Sequence, residues 1–150
     1  MINGVVVKKL TLNRDDRGWL AEIYRQDEDG YQPAMGYISV TKPGIIRGPH
    51  EHHYQSDCFV FVGPGDFELH LWDRQEGSST NGEYFKEVVG ESNPAMVIVP
   101  PGVVHGYKAI GESSAYSINL PDKLYRGVDK REEVDEIRWE KDPASPYKIS

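Results

Sequence analysis

The stretch Phe67-Glu68-Leu69-His70-Leu71-Trp72-Asp73 alternates strictly. Phe67, Leu69 and Leu71 fall on one face of an extended chain, and Glu68, His70 and Trp72 on the other. A helix would scatter those three apolar side chains, so this segment reads as a strand with one face on a core. Outward from it the pattern repeats in short runs rich in Val, Ile, Tyr, Phe and Trp. They cover residues 4–12, 19–25, 35–41, 58–62, 84–89, 95–99, 104–109 and 114–120. The breaks between them carry turn chemistry: Lys42-Pro43-Gly44, Gly63-Pro64-Gly65-Asp66, Thr80-Asn81-Gly82 and Pro100-Pro101-Gly102 supply fixed or positive φ where a chain must reverse. No stretch before residue 122 keeps a period of 3.6. Many short strands at close spacing predict an all-β antiparallel sandwich or barrel.

Residues 1–150 are expected to form one domain, long enough to bury a core without disulfides. Hydrophobic residues at 38% and charged residues at 27% fit a soluble globular chain. The net charge of -7, with no dense Lys/Arg run, argues against a nucleic-acid partner. One cysteine, Cys58, excludes an internal disulfide and is expected to be a buried strand thiol. No apolar run is long enough to span a bilayer, and the opening MINGVVVKKL lacks the apolar core of a signal peptide, so a cytoplasmic location without membrane contact is expected. The charged tail DKREEVDEIRWEKD is expected to form a short helix or turn, then a strand near residues 137–139. Trp139 would anchor it over one end of the sheet.

Chemistry concentrates in Ile45-Ile46-Arg47-Gly48-Pro49-His50-Glu51-His52-His53. In an extended chain His50 and His52 share a face and His53 points away. His105, after a Pro-Gly turn, could enter the same cavity from a distant strand. Strict alternation would turn Arg47 away from His50. A bulge at Gly48-Pro49 would rephase the strand and bring both to one face. His70 is expected to be a hydrogen-bonded partner within its sheet.

His50-x-His52, then Asp57, then Pro-x-Gly-x-x-His ending at His105 resembles the two motifs of the cupin superfamily. A further resemblance covers most of the chain. Asp16-Arg17-Gly18-Trp19-Leu20-Ala21-Glu22, Gly44-Ile45-Ile46-Arg47-Gly48-Pro49-His50, Pro101-Gly102-Val103-Val104-His105-Gly106-Tyr107, and Ile137-Arg138-Trp139 with Asp142-Pro143 resemble, in order, four motifs of the dTDP-4-dehydrorhamnose 3,5-epimerase family. That resemblance implies a cupin-type jelly roll, a double-stranded β-barrel, usually dimeric and working without a metal or other cofactor. It implies a sugar-nucleotide epimerase or isomerase acting on a dTDP- or UDP-linked 4-keto sugar. His50 would be the base, with Arg17 and Arg47 on the diphosphate, Glu22 at the nucleotide end and His105 near the sugar or its phosphate.

The chain departs from that family at several positions. The lysine that stabilises the enolate falls on Cys58, and the upstream Gln and Asn fall on Met35 and Tyr37. The tyrosine that returns the proton has no counterpart in register, Tyr125 being the nearest. The aspartate that partners the base has no counterpart either. Two alternatives therefore stand beside the epimerase. One is a metal-dependent cupin isomerase or oxygenase holding a divalent transition metal on His50, His52, Asp57 and His105. The other is a sugar-nucleotide-binding protein without catalysis.

Overall fold

The structure, a computed structural model, describes residues 1–150. Twelve strands run in chain order: β1 Val6–Lys9, β2 Asn13–Asp15, β3 Gly18–Leu20, β4 Tyr37–Thr41, β5 Ile46–Glu51, β6 Asp57–Phe61, β7 Asp66–Asp73, β8 Tyr84–Gly90, β9 Ala95–Val99, β10 Val103–Ile110, β11 Ala115–Asn119 and β12 Ile137–Arg138. One sheet has the order β1-β9-β6-β11-β4 and the other β12-β5-β10-β7-β8. Strands β2 and β3 form a separate hairpin. All pairings are antiparallel. The fold is the all-β jelly roll expected from the turn-punctuated strands. No helix is long and apolar enough to cross a membrane.

The inner faces of the two sheets meet in a core containing Phe59, Phe61, Phe67, Leu69, Leu71, Val97, Val103, Tyr107 and Ala109. Phe67, Leu69 and Leu71 are fully buried, as their alternation requires. Each contributes roughly 1.5–3 kcal/mol by leaving water. On the opposite face His70 donates and accepts within the sheet, 2.7 Å from the Tyr84 hydroxyl and 2.9 Å from Glu68. Strand β6 is buried at every position. Its Cys58 and Val60 pack away from the main core, with Leu10, Tyr31 and Met96. Burial pushes the Cys58 thiol up to about 12, so it is inert as a nucleophile.

Two elements differ from expectation. Strand β5 forms over Ile46–Glu51, where Arg, Gly, Pro and His obscure any alternation. A one-turn helix, α1 Gln26–Asp29, follows β3. It is too short to show a period and is held at its start by Asp29, whose carboxylate accepts the Arg25 N–H at 2.8 Å. Trp139 is half-buried rather than fully enclosed. It lies in a 3-10 turn, with Nε1 donating to Glu51 at 3.1 Å and the Arg74 guanidinium 5.1 Å above its ring.

Candidate active site

Three strands of the interior change character along their length. The inward residues run Phe61, Phe59, Asp57 on β6; Ala109, Tyr107, His105 on β10; and Ala115, Ser117, Asn119 on β11. The apolar ends stack as core, and the polar ends meet at one mouth of the barrel. The fold thereby places a buried carboxylate, an amide and an imidazole around one point.

His50 joins them through a bulge. The register of β5 against β10 pairs His105 with His50 and Tyr107 with Arg47. Two steps on β10 thus face three on β5. The extra residue lies in Gly48-Pro49, with Gly48 at φ +81°. The rephasing anticipated for that dipeptide occurs, and Arg47 and His50 share the inward face. Arg47 reaches across to β4, donating from Nε to the Thr41 hydroxyl at 2.8 Å and from a terminal nitrogen to the Val40 carbonyl at 2.9 Å.

The rings of His50 and His105 lie 4.4 Å apart between centres, and those of His50 and His52 5.4 Å. Asp57 organises the group. Its Oδ2 lies 3.1 Å from His52 Nε2 and 3.0 Å from His105 Nε2. Its Oδ1 accepts N–H groups from Gln55 and Asn119, each at 2.8 Å. The other ring nitrogens are also engaged: His105 Nδ1 donates to the Val103 carbonyl at 2.9 Å, and His52 Nδ1 to the carbonyl of Asp135.

Carbonyl oxygens only accept, so both Nδ1 atoms carry hydrogen. Both Nε2 atoms then face one carboxylate oxygen, which also only accepts. Doubly protonated rings satisfy both contacts, and so does a cation shared by the two Nε2 lone pairs and Asp57.

The electrostatics fit a charged cluster around a neutral His50. Burial pushes the His50 pKa well below its ordinary value, and the nearby charges of His105 and His52 push the same way. Burial also opposes charge on His52, but the hydrogen bond and charge of Asp57 outweigh it and raise that ring to about 9. Asp57 is disfavoured as an anion by burial, and His105 and His52 reverse this, holding it well below the usual carboxylate range.

The other expected site residues are placed differently. Arg17 sits on the β2–β3 hairpin with its side chain 90% exposed and paired to Asp15, the surface ion pair that competes with a phosphate role. Glu22 is also exposed and pairs with Arg25 at 3.1 Å. Neither reaches the histidines. Tyr125 is half-exposed, and its only hydrogen bond is from its backbone N–H to the Met35 sulfur. His105 lies in the cup, closed in, with Nδ1 on the Val103 carbonyl and Nε2 on Asp57. His53 is exposed.

Sequence reasoning missed four contributors. Gln55 and Asn119 brace Asp57. Asp135 clamps the 53–55 backbone through three N–H bonds of 2.9–3.0 Å. Glu136 lies 3.9 Å from His50 Nε2. The only available signal was the Asp-Glu pair just before the Ile-Arg-Trp motif.

Comparison with known proteins agrees with this architecture. The model of the dTDP-4-dehydrorhamnose 3,5-epimerase family matches residues 1–146. The chain is 40% identical over 135 residues to the probable low-salt glycan biosynthesis epimerase Agl13 of Haloferax volcanii, covering 88% of this chain and 86% of that protein. It is 42% identical over 115 residues to the spore coat polysaccharide biosynthesis protein SpsL of Bacillus subtilis, covering 75% of each. Among solved structures, a dTDP sugar isomerase from Desulfovibrio desulfuricans superposes with a TM-score of 0.85 at 23% identity, over 98% of this chain and 91% of that one. An epimerase from Legionella pneumophila, solved with dTDP-4-keto-L-rhamnose, gives 0.76 at 18% identity, over 91% and 73%. With its jelly roll and nearly its whole length matched, the chain belongs to the dTDP-4-dehydrorhamnose 3,5-epimerase family of sugar-nucleotide epimerases.

Proposed function

We propose that this epimerase inverts a carbon next to the 4-ketone of a dTDP- or UDP-linked hexose, with His50 as the base. The carrying observation is the arrangement of the cup: a half-buried His50 whose ring lies 5.4 Å from that of His52, with Asp57 3.1 Å from His52 Nε2 and favouring the protonated form of that ring. A neutral imidazole accepts a proton α to a carbonyl only if the enolate is stabilised. The protonated His52, its ring 5.4 Å from His50, supplies positive charge where the family's lysine is absent. Glu136, 3.9 Å from His50 Nε2, supports the imidazolium formed during the step. Arg47, its planar donor fork held beside Thr41 and Val40 on β4, is the phosphate contact. Arg17 is already engaged by Asp15.

The test uses dTDP-4-keto-6-deoxyglucose in deuterated water, with NMR at C3 and C5. The wild type should incorporate deuterium next to the ketone, and His50→Asn should reduce this by roughly 10²–10⁴-fold. Wild-type protein that leaves both the dTDP and the UDP 4-keto sugar unlabelled overturns the reading.

A homodimer is part of this proposal. Edge strand β4 leaves Ile38 63% exposed and Val40 exposed beside it, a face and edge suited to a second copy. Light scattering at micromolar concentration checks it, and a monomer there removes it.

A second reading is favoured by the donor set. One ligand atom from each of His50, His52, Asp57 and His105 lies within 4.8 Å of the others. Both His52 and His105 anchor Nδ1 on carbonyls, as metal-bound imidazoles do. Small side-chain rotations would bring all four to the ~2.0–2.2 Å bonds of a divalent transition metal. Such an ion would supply Lewis-acid polarisation of a substrate oxygen, and His50 would then be a ligand instead of a base. Elemental analysis after metal-supplemented expression separates the readings. A stoichiometric metal lost in His52→Ala supports the second, and metal-free active protein refutes it.

A further inference from the structure

Inversion needs a second group. After a base removes the proton from one face of the carbon, an acid must deliver one to the other. We propose that Tyr37 is this acid, an assignment that rests on His50 as the base.

The chain has nine tyrosines, and the structure commits the hydroxyls of four of them elsewhere. Tyr24 donates to the Tyr31 carbonyl, and Tyr31 to the carbonyls of Ser56 and Leu120. Tyr84 bonds His70. Tyr107 is packed among Phe59, Phe61 and Phe67 with its hydroxyl on Ser117. Tyr37 differs. Its register partner is Asn119, and Ser39 and Thr41 pair with Ser117 and Ala115. Tyr37 therefore shares the inward face of that sheet with the buried side of β11, while Ile38 and Val40 face out.

Its hydroxyl is oriented by a chain of bonds whose directions can be read. Asn119 Oδ1 accepts the Cys58 N–H at 3.1 Å, which fixes the amide. Asn119 Nδ2 then donates twice, to Asp57 Oδ1 at 2.8 Å and to the Tyr37 hydroxyl oxygen at 2.9 Å. In that bond Tyr37 is the acceptor. No protein atom takes its own proton, so the O–H remains free for a ligand in the cup. Tyr37 is 46% exposed, and its hydroxyl is held by Asn119. Partial burial pushes the phenol up to about 12, and it carries its proton at neutral pH.

Tyr37 and His50 also stand on opposite walls. Tyr37 belongs to the β4 sheet and His50 to the β5 sheet. Glu136 lies 3.9 Å from His50, and its charge also acts on the Tyr37 hydroxyl. A hexose held between the sheets would present one face of a carbon to each.

The step balances. His50 takes the C–H proton, and that electron pair forms the enolate double bond as the ketone oxygen becomes negative. The Tyr37 O–H proton is then delivered to the same carbon from the other face. The ketone re-forms, leaving a tyrosinate and an imidazolium that exchange one proton through water.

The experiment runs Tyr37→Phe and Tyr125→Phe beside wild type on dTDP-4-keto-6-deoxyglucose in deuterated water, reading label and configuration separately. The expected result is that Tyr37→Phe keeps labelling within tenfold, because His50 still removes and returns a proton on its own face, and loses inversion by roughly 10²–10⁴-fold. Tyr125→Phe keeps both, and both variants melt near wild type. Tyr37→Phe that inverts normally, or that loses labelling and inversion in equal proportion, overturns the assignment. So does Tyr125→Phe that labels without inverting. Wild type that neither labels nor inverts sinks the His50 reading, and Tyr37 with it.

Discussion

The backbone carbonyl of Asp135 accepts the Nδ1 hydrogen of His52, 83 positions earlier in the chain. The Asp135 carboxylate meanwhile accepts the N–H groups of His53, Tyr54 and Gln55. One residue of the charged tail therefore fixes both the ring and the loop that follows it. Asp135→Ala should cost about 1–3 kcal/mol through three unpaired amides. Asp135→Asn, which keeps one acceptor oxygen, should cost less. Denaturant titration of both variants ranks them, and equal stability would show that the clamp contributes nothing.

Gly48 sets the phase of β5. A Cβ there would lie 2.7 Å from the His105 carbonyl oxygen and 3.1 Å from His50 Nδ1, at φ +81°. Gly48→Ala must move one of the two histidine strands. Turnover is expected to fall about a hundredfold, as for a displacement near 1 Å of a reacting group. Nucleotide affinity should change little, which calorimetry with dTDP would reveal.

Glu51 is buried, and its Oε1 takes both Arg74 at 2.9 Å and the Trp139 indole at 3.1 Å, while Oε2 has no partner. Arg74→Met removes the charge that compensates a buried carboxylate. Because Arg74 is partly exposed, the expected loss is about 1–3 kcal/mol rather than the full cost of breaking a buried pair. Replacing both residues, Glu51→Gln with Arg74→Met, should recover part of it, and a double-mutant cycle in urea measures the coupling.

Asp73 gives the fold an acid limit. Burial pushes its carboxyl up, and the hydroxyls of Ser78 and Thr80 with the N–H groups of Gln75 outweigh this, leaving the pKa below its ordinary value. With a folded pKa below the unfolded one, the contribution is complete above the unfolded value of about 3.9 and is lost as pH falls through the folded value. Wild type should therefore lose stability below pH 4 more steeply than Asp73→Asn. Parallel melts from pH 3 to 6 provide the comparison.

The jelly roll was legible because its strands bury one face, as Phe67, Leu69 and Leu71 do, and because Pro-Gly turns separate them. Strand β5 was harder. Its inward residues are Arg47 and His50, and its bulge removes the period that defines a strand. Even so, Gly48-Pro49 announced the bulge. The convergence of His50, His52, Asp57 and His105 could be anticipated from strand alternation together with the resemblance to the cupin motifs. What braces them could not. Asn119, Asp135 and Glu136 reach the cup through long-range pairing, and ordinary polar residues carry no local mark of that. Arg17 shows the reverse, a motif residue whose nearest charge is its neighbour Asp15.

The last strand has one further consequence. Strand β12 pairs with β5 through only two residues, Ile137 opposite Glu51 and Arg138 opposite His50. So short a ladder should unzip far more readily than the aromatic interior, through local opening that leaves the barrel intact. Peeling it back would bare His50 to solvent. Amide exchange at Ile137 and Arg138 should therefore run orders of magnitude faster than at Val97 or Leu69, making the tail's breathing a direct gauge of how often the wall around His50 stands ajar.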